Sequence, residues 1–149
     1  KLFFFFGNFS VPFKIIEKEG KYYIFDLLRK KELLLTPEEW VRQHFVNYLI
    51  IHLAYPKSLI KLESGLSYNN VQKRTDIQVF DRTGQLFMII ECKAPYVALT
   101  QAVFEQVAQY NHSLRSPYVV ITNGMSQYCC QTNWETFQID FLENLPSFP

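Results

Sequence analysis

The chain has 149 residues, 48% of them apolar and 17% aromatic, which is enough for one globular domain with a core and too short for two. Its net charge of +1 is too small to indicate nucleic-acid binding by itself, although all 15 basic residues lie within residues 1–115. The opening apolar run, Leu2–Phe6, is far shorter than the roughly 20 residues of a membrane-spanning helix. Three cysteines form no disulfide framework or zinc pattern. We therefore expect a single cytoplasmic domain over residues 1–149 without membrane association.

An extension of alternating apolar and polar residues opens the chain. Residues 11–35 show this alternation on both sides of Gly20, which predicts a strand pair ahead of the main unit. The short basic run Arg29–Lys31 has two interpretations, a solvated turn or a phosphate contact, and the solvated turn is favoured.

A helix start follows at residues 36–39. Thr36 has the place of an N-cap, Pro37 of the first helical residue and Glu39 of the acidic member of a capping box. Apolar residues then recur at helical spacing from Val41 onward. Because capping already explains Glu39, its neighbour Glu38 is the better candidate for a functional site.

Residues 58–68 predict a strand interrupted at residues 64–65, and the chain then turns at residues 69–70. A central hairpin comes next. Its strands, Ile77–Phe80 and Leu86–Ile90, are rich in β-branched and aromatic residues and flank a loop that ends in glycine.

The hairpin brings charged residues together. If Phe80 pairs with Gln85, Asp76 lies diagonally across from Glu91, roughly 7 Å away and on the same face. Side chains alternate along a strand, so Lys93 shares that face while Cys92 points into the core. Residues 97–114 then predict a second helix, residues 118–122 a buried strand, and residues 128–131 and 136–141 two short strands.

The predicted fold class is α/β, with helices packed on one mixed sheet. We divide the single domain into an N-terminal strand extension (1–35), a core (36–124) and C-terminal strands (125–149).

Two carboxylates on one face suit Mg²⁺, which prefers oxygen ligands and retains several waters. Asp76, Glu91 and the backbone carbonyl of Cys92 could supply those oxygens, and Lys93 could orient or deprotonate an attacking water. Acidic residues at strand ends are common on protein surfaces, so by themselves these residues would be interpreted as ordinary surface charges. Here, however, the charges follow a five-residue apolar run, where a buried strand emerges.

Five segments form an ordered set along the chain: Thr36–Gln43, Lys73–Asp76, Ile90–Pro95, Glu105–Asn111 and Val120–Gly124. This set resembles the N-terminal nuclease region of type I restriction enzyme R subunits, within the PD-(D/E)xK nuclease superfamily. The resemblance covers about residues 22–145. It implies a restriction-endonuclease-like core of a helix, three antiparallel strands, a second helix and a fourth strand.

The resemblance also implies roles for residues. Asp76 and Glu91 would be ligands of Mg²⁺ or Mn²⁺, and Lys93 the catalytic lysine. Glu38 and Arg42 match the Glu-x-x-x-Arg pattern of the first helix, in which Glu38 completes the catalytic and metal-binding set. Arg42 and Glu39 would support these ligands from behind.

Gln106 and Tyr110 match the Gln-x-x-x-Tyr pattern of the second helix, where the glutamine steadies the site or contacts DNA. Lys73 and Arg74 are interpreted equally well as solvated charges or as phosphate anchors, and Asn69 belongs to the same rim. One departure from the family is Thr75, where the motif has proline before the aspartate. The chain also has no Gly-x-x-x-x-Gly-Lys-Ser/Thr loop, so it contains no ATP-driven motor of its own.

Two functions remain open at this stage. The first is a metal-dependent deoxyribonuclease whose substrate is DNA. It would act together with restriction–modification subunits or as a homodimer joined through the N-terminal strands. The second is a catalytically idle DNA-binding or assembly module with the same fold. The first is favoured, because an idle site has no physical need for two like charges on one face.

Overall fold

A computed structural model describes the backbone of residues 13–62, 65–68 and 71–149, and the side chains of residues 13–62 and 75–149. Two α-helices and eleven β-strands lie within these residues. In chain order the elements are β1 Ile15–Lys18, β2 Lys21–Asp26, β3 Lys31–Leu34, α1 Pro37–Ile51, β4 Ile60–Leu62, β5 Gly65–Tyr68, β6 Val71–Arg74, β7 Ile77–Phe80, β8 Leu86–Cys92, α2 Gln101–Leu114, β9 Tyr118–Thr122, β10 Gln127–Asn133 and β11 Gln138–Leu142.

The main sheet has six strands in the order β11-β10-β9-β8-β7-β4. Strands β4, β7 and β8 are antiparallel, and α2 then carries the chain across to β9, which runs parallel to β8. The predicted core of a helix, three antiparallel strands, a helix and a fourth strand is therefore confirmed. The predicted C-terminal strands extend this same sheet through β10 and β11.

The N-terminal extension has three strands, so the predicted strand pair is wrong in number. β3 pairs with β2 and completes a meander in the order β1-β2-β3. The reversal between β2 and β3 depends on Asp26, whose Oδ1 accepts hydrogen bonds from the backbone N–H groups of Leu28 (2.8 Å) and Arg29 (2.9 Å). A side chain that satisfies backbone donors in this way stabilises a turn that alternation alone does not reveal.

The single interrupted strand predicted over residues 58–68 is also wrong. β4 belongs to the main sheet, whereas β5 pairs with β6 in a separate two-stranded ribbon. Pairing with the next segment of the chain closes a short loop, which costs little entropy. The predicted turn at residues 69–70 lies outside the described residues.

Both helices begin at a threonine cap. Thr36 Oγ1 accepts from the N–H of Glu39 at 3.0 Å, as the capping pattern predicts. The second helix begins at Gln101 and not at residue 97, because Thr100 caps it by accepting from Val103 N at 3.4 Å. The residues before Thr100 form a turn that follows Ala94. No helix in the described parts of the chain is long and apolar enough to cross a bilayer.

Each helix covers one face of the main sheet. On the α1 face, Val41 and Phe45 pack in one cluster with Ile90 and Cys92 of β8. On the α2 face, Val107 packs with Ile89 of β8 and with alternate residues of β9. Cys92 thus lies in the core as predicted, and strand alternation directs Glu91 toward the α2 side.

The two threonine caps should contribute unequally to the free energy of unfolding. Thr36→Ala removes the 3.0 Å cap and should lower the free energy of unfolding by about 1 kcal/mol, since it leaves helix N–H groups without an acceptor. Thr100→Ala removes a longer and weaker bond and should cost less. Urea denaturation of both variants measures the difference, and the reverse order would contradict this account of the caps.

Candidate functional site

The hairpin places Asp76 and Glu91 directly opposite each other. Ile77 pairs with Ile90, and the same register continued by one residue sets Asp76 against Glu91. The predicted diagonal arrangement, with Phe80 opposite Gln85, is therefore wrong.

Two single-residue shifts explain the difference. Gln85 belongs to the turn, where its N–H donates to Asp81 Oδ1 at 3.0 Å, and Phe80 pairs with Leu86 instead. The register then shifts again between Val79 and Phe80, which leaves Phe87 as an extra residue in β8, a β-bulge.

The two carboxyl groups lie within hydrogen-bonding reach of each other. Their side chains are hydrogen bonded to each other, and burial raises the pKa of both groups. Burial together with the adjacent charge of Asp76 raises the pKa of Glu91 to about 7. Two carboxylates held close together disfavour each other's ionised form.

Asp76 is held in place on both of its oxygens. Its Oδ2 accepts from the backbone N–H of Cys92 at 2.7 Å, across the hairpin. Its Oδ1 lies 3.6 Å from Nη1 of Arg42 on α1. These two contacts oppose the effect of burial on the pKa of Asp76 and fix the direction in which its carboxylate points.

Lys93 completes the group at the end of β8. Its Nζ lies 3.3 Å from Oε1 of Glu91, with about a quarter of the side chain exposed. Its backbone N–H donates to the carbonyl of Thr122 at 2.8 Å, which anchors this position to β9. The structure thus brings together Asp76, Glu91 and Lys93, the three residues that the hairpin pattern singled out.

On α1, Glu39 is connected to Asp76 through Arg42. Glu39 is buried and forms an ion pair with Arg42, which in turn faces Asp76. Glu38 is exposed, and its charge acts on the buried Cys92 thiol, whose pKa is raised chiefly by burial. The role of Glu38 stays a prediction, and Glu39, which the sequence assigned to capping alone, also takes part in an ion pair.

The remaining predicted residues lie in three places. Gln106 is exposed on α2, and Tyr110 is half-buried one turn later on the same helix. Lys73 and Arg74 end β6, only two residues before Asp76, and their side chains are outside the described part of the structure. Asn69 lies outside the described residues altogether.

Sequence reasoning missed a buried polar cluster behind the site, formed by Asp26, Arg29 and Gln43. Arg29 Nε lies 2.6 Å from Asp26 Oδ2, and only 16% of its side chain is exposed, so the solvated-turn interpretation of Arg29 is wrong. Burial alone would raise the pKa of Asp26, but hydrogen bonds from Arg29 and Gln43 outweigh burial and lower it. An aspartate that ends an apolar strand, followed by arginine three residues later, was the available signal.

The oxygen atoms at this site suit a hard cation. Within the described side chains, no group of three or more His, Cys, Asp or Glu residues converges as a metal cage. Mg²⁺ does not need such a cage, because two carboxylates, a backbone carbonyl and water molecules suffice. Asp76, Glu91 and the Cys92 carbonyl therefore fit Mg²⁺ better than they would fit zinc, which prefers nitrogen and sulfur ligands.

The raised pKa of Glu91 predicts a pH dependence of the metal-free protein. Between the ordinary pKa of 4.5 and a folded-state pKa of about 7, Glu91 keeps its proton in the folded protein and loses it in the unfolded chain. Stability from this group should thus be present below pH 4.5 and lost as the pH rises through 7, a change on the order of 2 kcal/mol.

Glu91→Gln is the matched control, because glutamine can still donate to Asp76 and does not titrate. The burial-lowered pKa of His44 contributes equally to both proteins and cancels in their difference. Denaturation in EDTA from pH 4.5 to 8 should show wild type losing stability relative to the variant. Parallel curves would contradict a raised pKa at Glu91.

Comparisons with known proteins place this chain in a family. The type I restriction enzyme R protein N-terminal family matches residues 37–146. No curated protein matches the chain. A fragment described as an HsdR subunit of a type I restriction enzyme from Vibrio vulnificus YJ016 is 19% identical with a TM-score of 0.38, covering 59% of this chain and only 16% of that one.

A second solved structure, described as a nuclease of the DUF820 family from Anabaena variabilis ATCC 29413, is 13% identical with a TM-score of 0.49. The match covers 88% of this chain and 80% of that one. These two likenesses are too distant to assign a function. The family match, by contrast, spans well over half of the 149 residues. This chain belongs to the family of type I restriction enzyme R protein N-terminal domains.

Proposed function

We propose that this domain is a Mg²⁺-dependent deoxyribonuclease that hydrolyses phosphodiester bonds of DNA within a restriction–modification assembly. The observation that supports this proposal is the close grouping of Asp76, Glu91 and Lys93 where β8 leaves the core. Family membership supports the restriction context.

The acidic pair would hold the cation. Asp76 and Glu91, with the backbone carbonyl of Cys92, present oxygens from two adjacent strands. Glu91 would release its proton on binding, since opposite charge nearby favours the ionised carboxylate. Bound Mg²⁺ supplies a lowered pKa for a coordinated water and charge stabilisation at the leaving oxygen. Mn²⁺ would serve the same purpose, and Glu38 at the start of α1 would support the cation from the exposed side.

Lys93 would act on the attacking water and on the phosphate. An ammonium group offers three donors and can orient a water while offsetting the negative charge that builds up at phosphorus. Glu91 Oε1, 3.3 Å away, limits where this ammonium can lie. In-line attack then needs the water held opposite the leaving oxygen, which the shared face of Glu91 and Lys93 allows.

DNA would approach over the β5–β6 ribbon and α2. Lys73 and Arg74 lie three and two residues before Asp76 and would contact backbone phosphates. Gln106 and Tyr110 would contact DNA or steady the site from α2. Asn69 would contribute to the same rim.

An idle DNA-binding module of the same fold is the competing function. Binding to phosphates gains from cations and loses from acidic groups, so a purely binding surface has no use for two carboxylates beside the ribbon. Burying two such groups together is unfavourable. The acidic pair therefore favours catalysis over binding alone.

Cleavage is the direct test of this proposal. With Mg²⁺ or Mn²⁺, wild type should cut plasmid or single-stranded DNA, and Lys93→Ala should reduce the rate on the order of 100-fold or more, because it removes the group that acts on the water. Lys57→Ala, which removes an exposed lysine on the 3₁₀ turn before β4, should leave the rate unchanged. Gel assays of the three proteins measure this.

A binding experiment separates metal loss from loss of chemistry. Mn²⁺ should raise the Tm of wild type and of Lys93→Ala, because ligand binding stabilises the folded state. Asp76→Asn should abolish that increase. Equal cleavage by wild type and Lys93→Ala, or none by either with Mn²⁺ present, would favour the idle module.

DNA affinity tests the proposed rim. In EDTA, where no cleavage occurs, Lys73→Ala should weaken binding across all sequences and reduce the salt dependence of binding by about one unit of slope, as expected when one phosphate contact is lost. Lys21→Ala, an exposed lysine on β2, is the matched control. Fluorescence anisotropy at several salt concentrations measures both, and identical slopes would exclude Lys73 from the interface.

A further inference from the structure

We infer that Arg29, on the turn after β2, is a positioning residue for the acidic site and acts through Glu39 and Arg42 on Asp76. This inference rests on the proposed function of that site. Arg29 lies ahead of residues 37–146, the segment that the family match covers.

Arg29 joins the N-terminal sheet to α1. Its Nε pairs with Asp26 Oδ2 at 2.6 Å, and its Nη2 lies 3.2 Å from Glu39 Oε1. A guanidinium offers donors in a rigid fork, so the two contacts hold both carboxylates at a set spacing. Gln43 repeats this link, since its Nε2 donates to Asp26 Oδ2 at 3.1 Å and to Glu39 Oε1 at 2.8 Å.

The two carboxylate oxygens of Glu39 therefore have different partners. Oε1 receives Arg29 and Gln43, while Oε2 pairs with Nη2 of Arg42. Glu39 is only 3% exposed, so water does not compete for these contacts. The occupied Oε1 keeps Oε2 turned toward Arg42.

Arg42 connects the orientation of Glu39 to that of Asp76. With its Nη2 held by Glu39, its Nη1 lies 3.6 Å from Oδ1 of Asp76. Without Arg29 only Gln43 would hold Oε1, so Glu39 could rotate and draw Arg42 away from Asp76. The carboxylate of Asp76 would then lose one of the contacts that set its direction.

The positioning role and a simple charge effect predict opposite signs. Removing a cation near an acidic site should strengthen binding of another cation through Coulomb's law. Loss of positioning should weaken it, because ligands that are no longer held by their neighbours bind metal less well. Arg29→Gln distinguishes the two, since Arg42 keeps its own charge.

The experiment measures Mn²⁺ affinity of the full chain by calorimetry. Arg29→Gln should weaken Mn²⁺ binding by about tenfold. Arg29→Lys restores the charge without the fork and should remain weakened. Lys31→Gln removes the same charge two residues away, from an exposed side chain on β3, and should bind as tightly as wild type or slightly more tightly.

Three results would overturn the inference: unchanged or tighter binding by Arg29→Gln, equal changes in Arg29→Gln and Lys31→Gln, or full recovery in Arg29→Lys. Should Arg29→Gln fail to fold, its combination with Asp26→Asn removes the unpaired buried charge and still breaks the link to Glu39.

Absence of Mn²⁺ binding in wild type would refute the proposed function and not this link. The link is then tested by the Tm of Arg29→Gln, of Asp76→Asn and of the double variant. Coupled residues should give a non-additive shift, whereas Lys31→Gln with Asp76→Asn should be additive. Additive shifts for the Arg29 pair would overturn the inference.

Discussion

Repulsion between two partly buried carboxylates is the constraint on which the candidate site depends. Asp76 and Glu91 face each other from adjacent strands, in a place where water cannot fully screen their charges. Each nearby group reduces that repulsion in its own way: the N–H of Cys92 and the guanidinium of Arg42 at Asp76, and the ammonium of Lys93 at Glu91. The remaining effect of burial and of the neighbouring carboxylate is a raised pKa at Glu91.

The compensation extends well behind the site. Acidic and basic side chains alternate from Asp76 through Arg42, Glu39 and Arg29 to Asp26, and no charge in this chain of contacts is next to another of the same sign. Such an arrangement lets several ionised groups share a low-dielectric region. The N-terminal meander, which supplies two members, is thereby part of the electrostatic support of the site and not only an addition to the core.

Much of the core could be predicted from the sequence, because it depends on local patterns: the Thr36 cap, the helical spacing after it and the apolar strands. The face shared by Asp76 and Glu91 was also predictable, although their register was not. The turn and the bulge each shift the pairing by one residue. Two such shifts leave Asp76 and Glu91 on the same face, as the predicted register does. The partial burial of Arg29 could not be foreseen, since its partner Glu39 lies ten residues away on another element.

The bulge at Phe87 has a consequence for how this hairpin can change in length. If the same strands paired regularly from Phe80 and Leu86 onward, Asp76 would lie opposite Ile90, and Glu91 would turn to the opposite face of the sheet. Every strand would survive, yet the two carboxylates would be separated by the sheet itself. An insertion or deletion within the paired strands therefore keeps Asp76 and Glu91 on one face only if it changes the strand by an even number of residues. The exception is a change that also adds or removes a β-bulge.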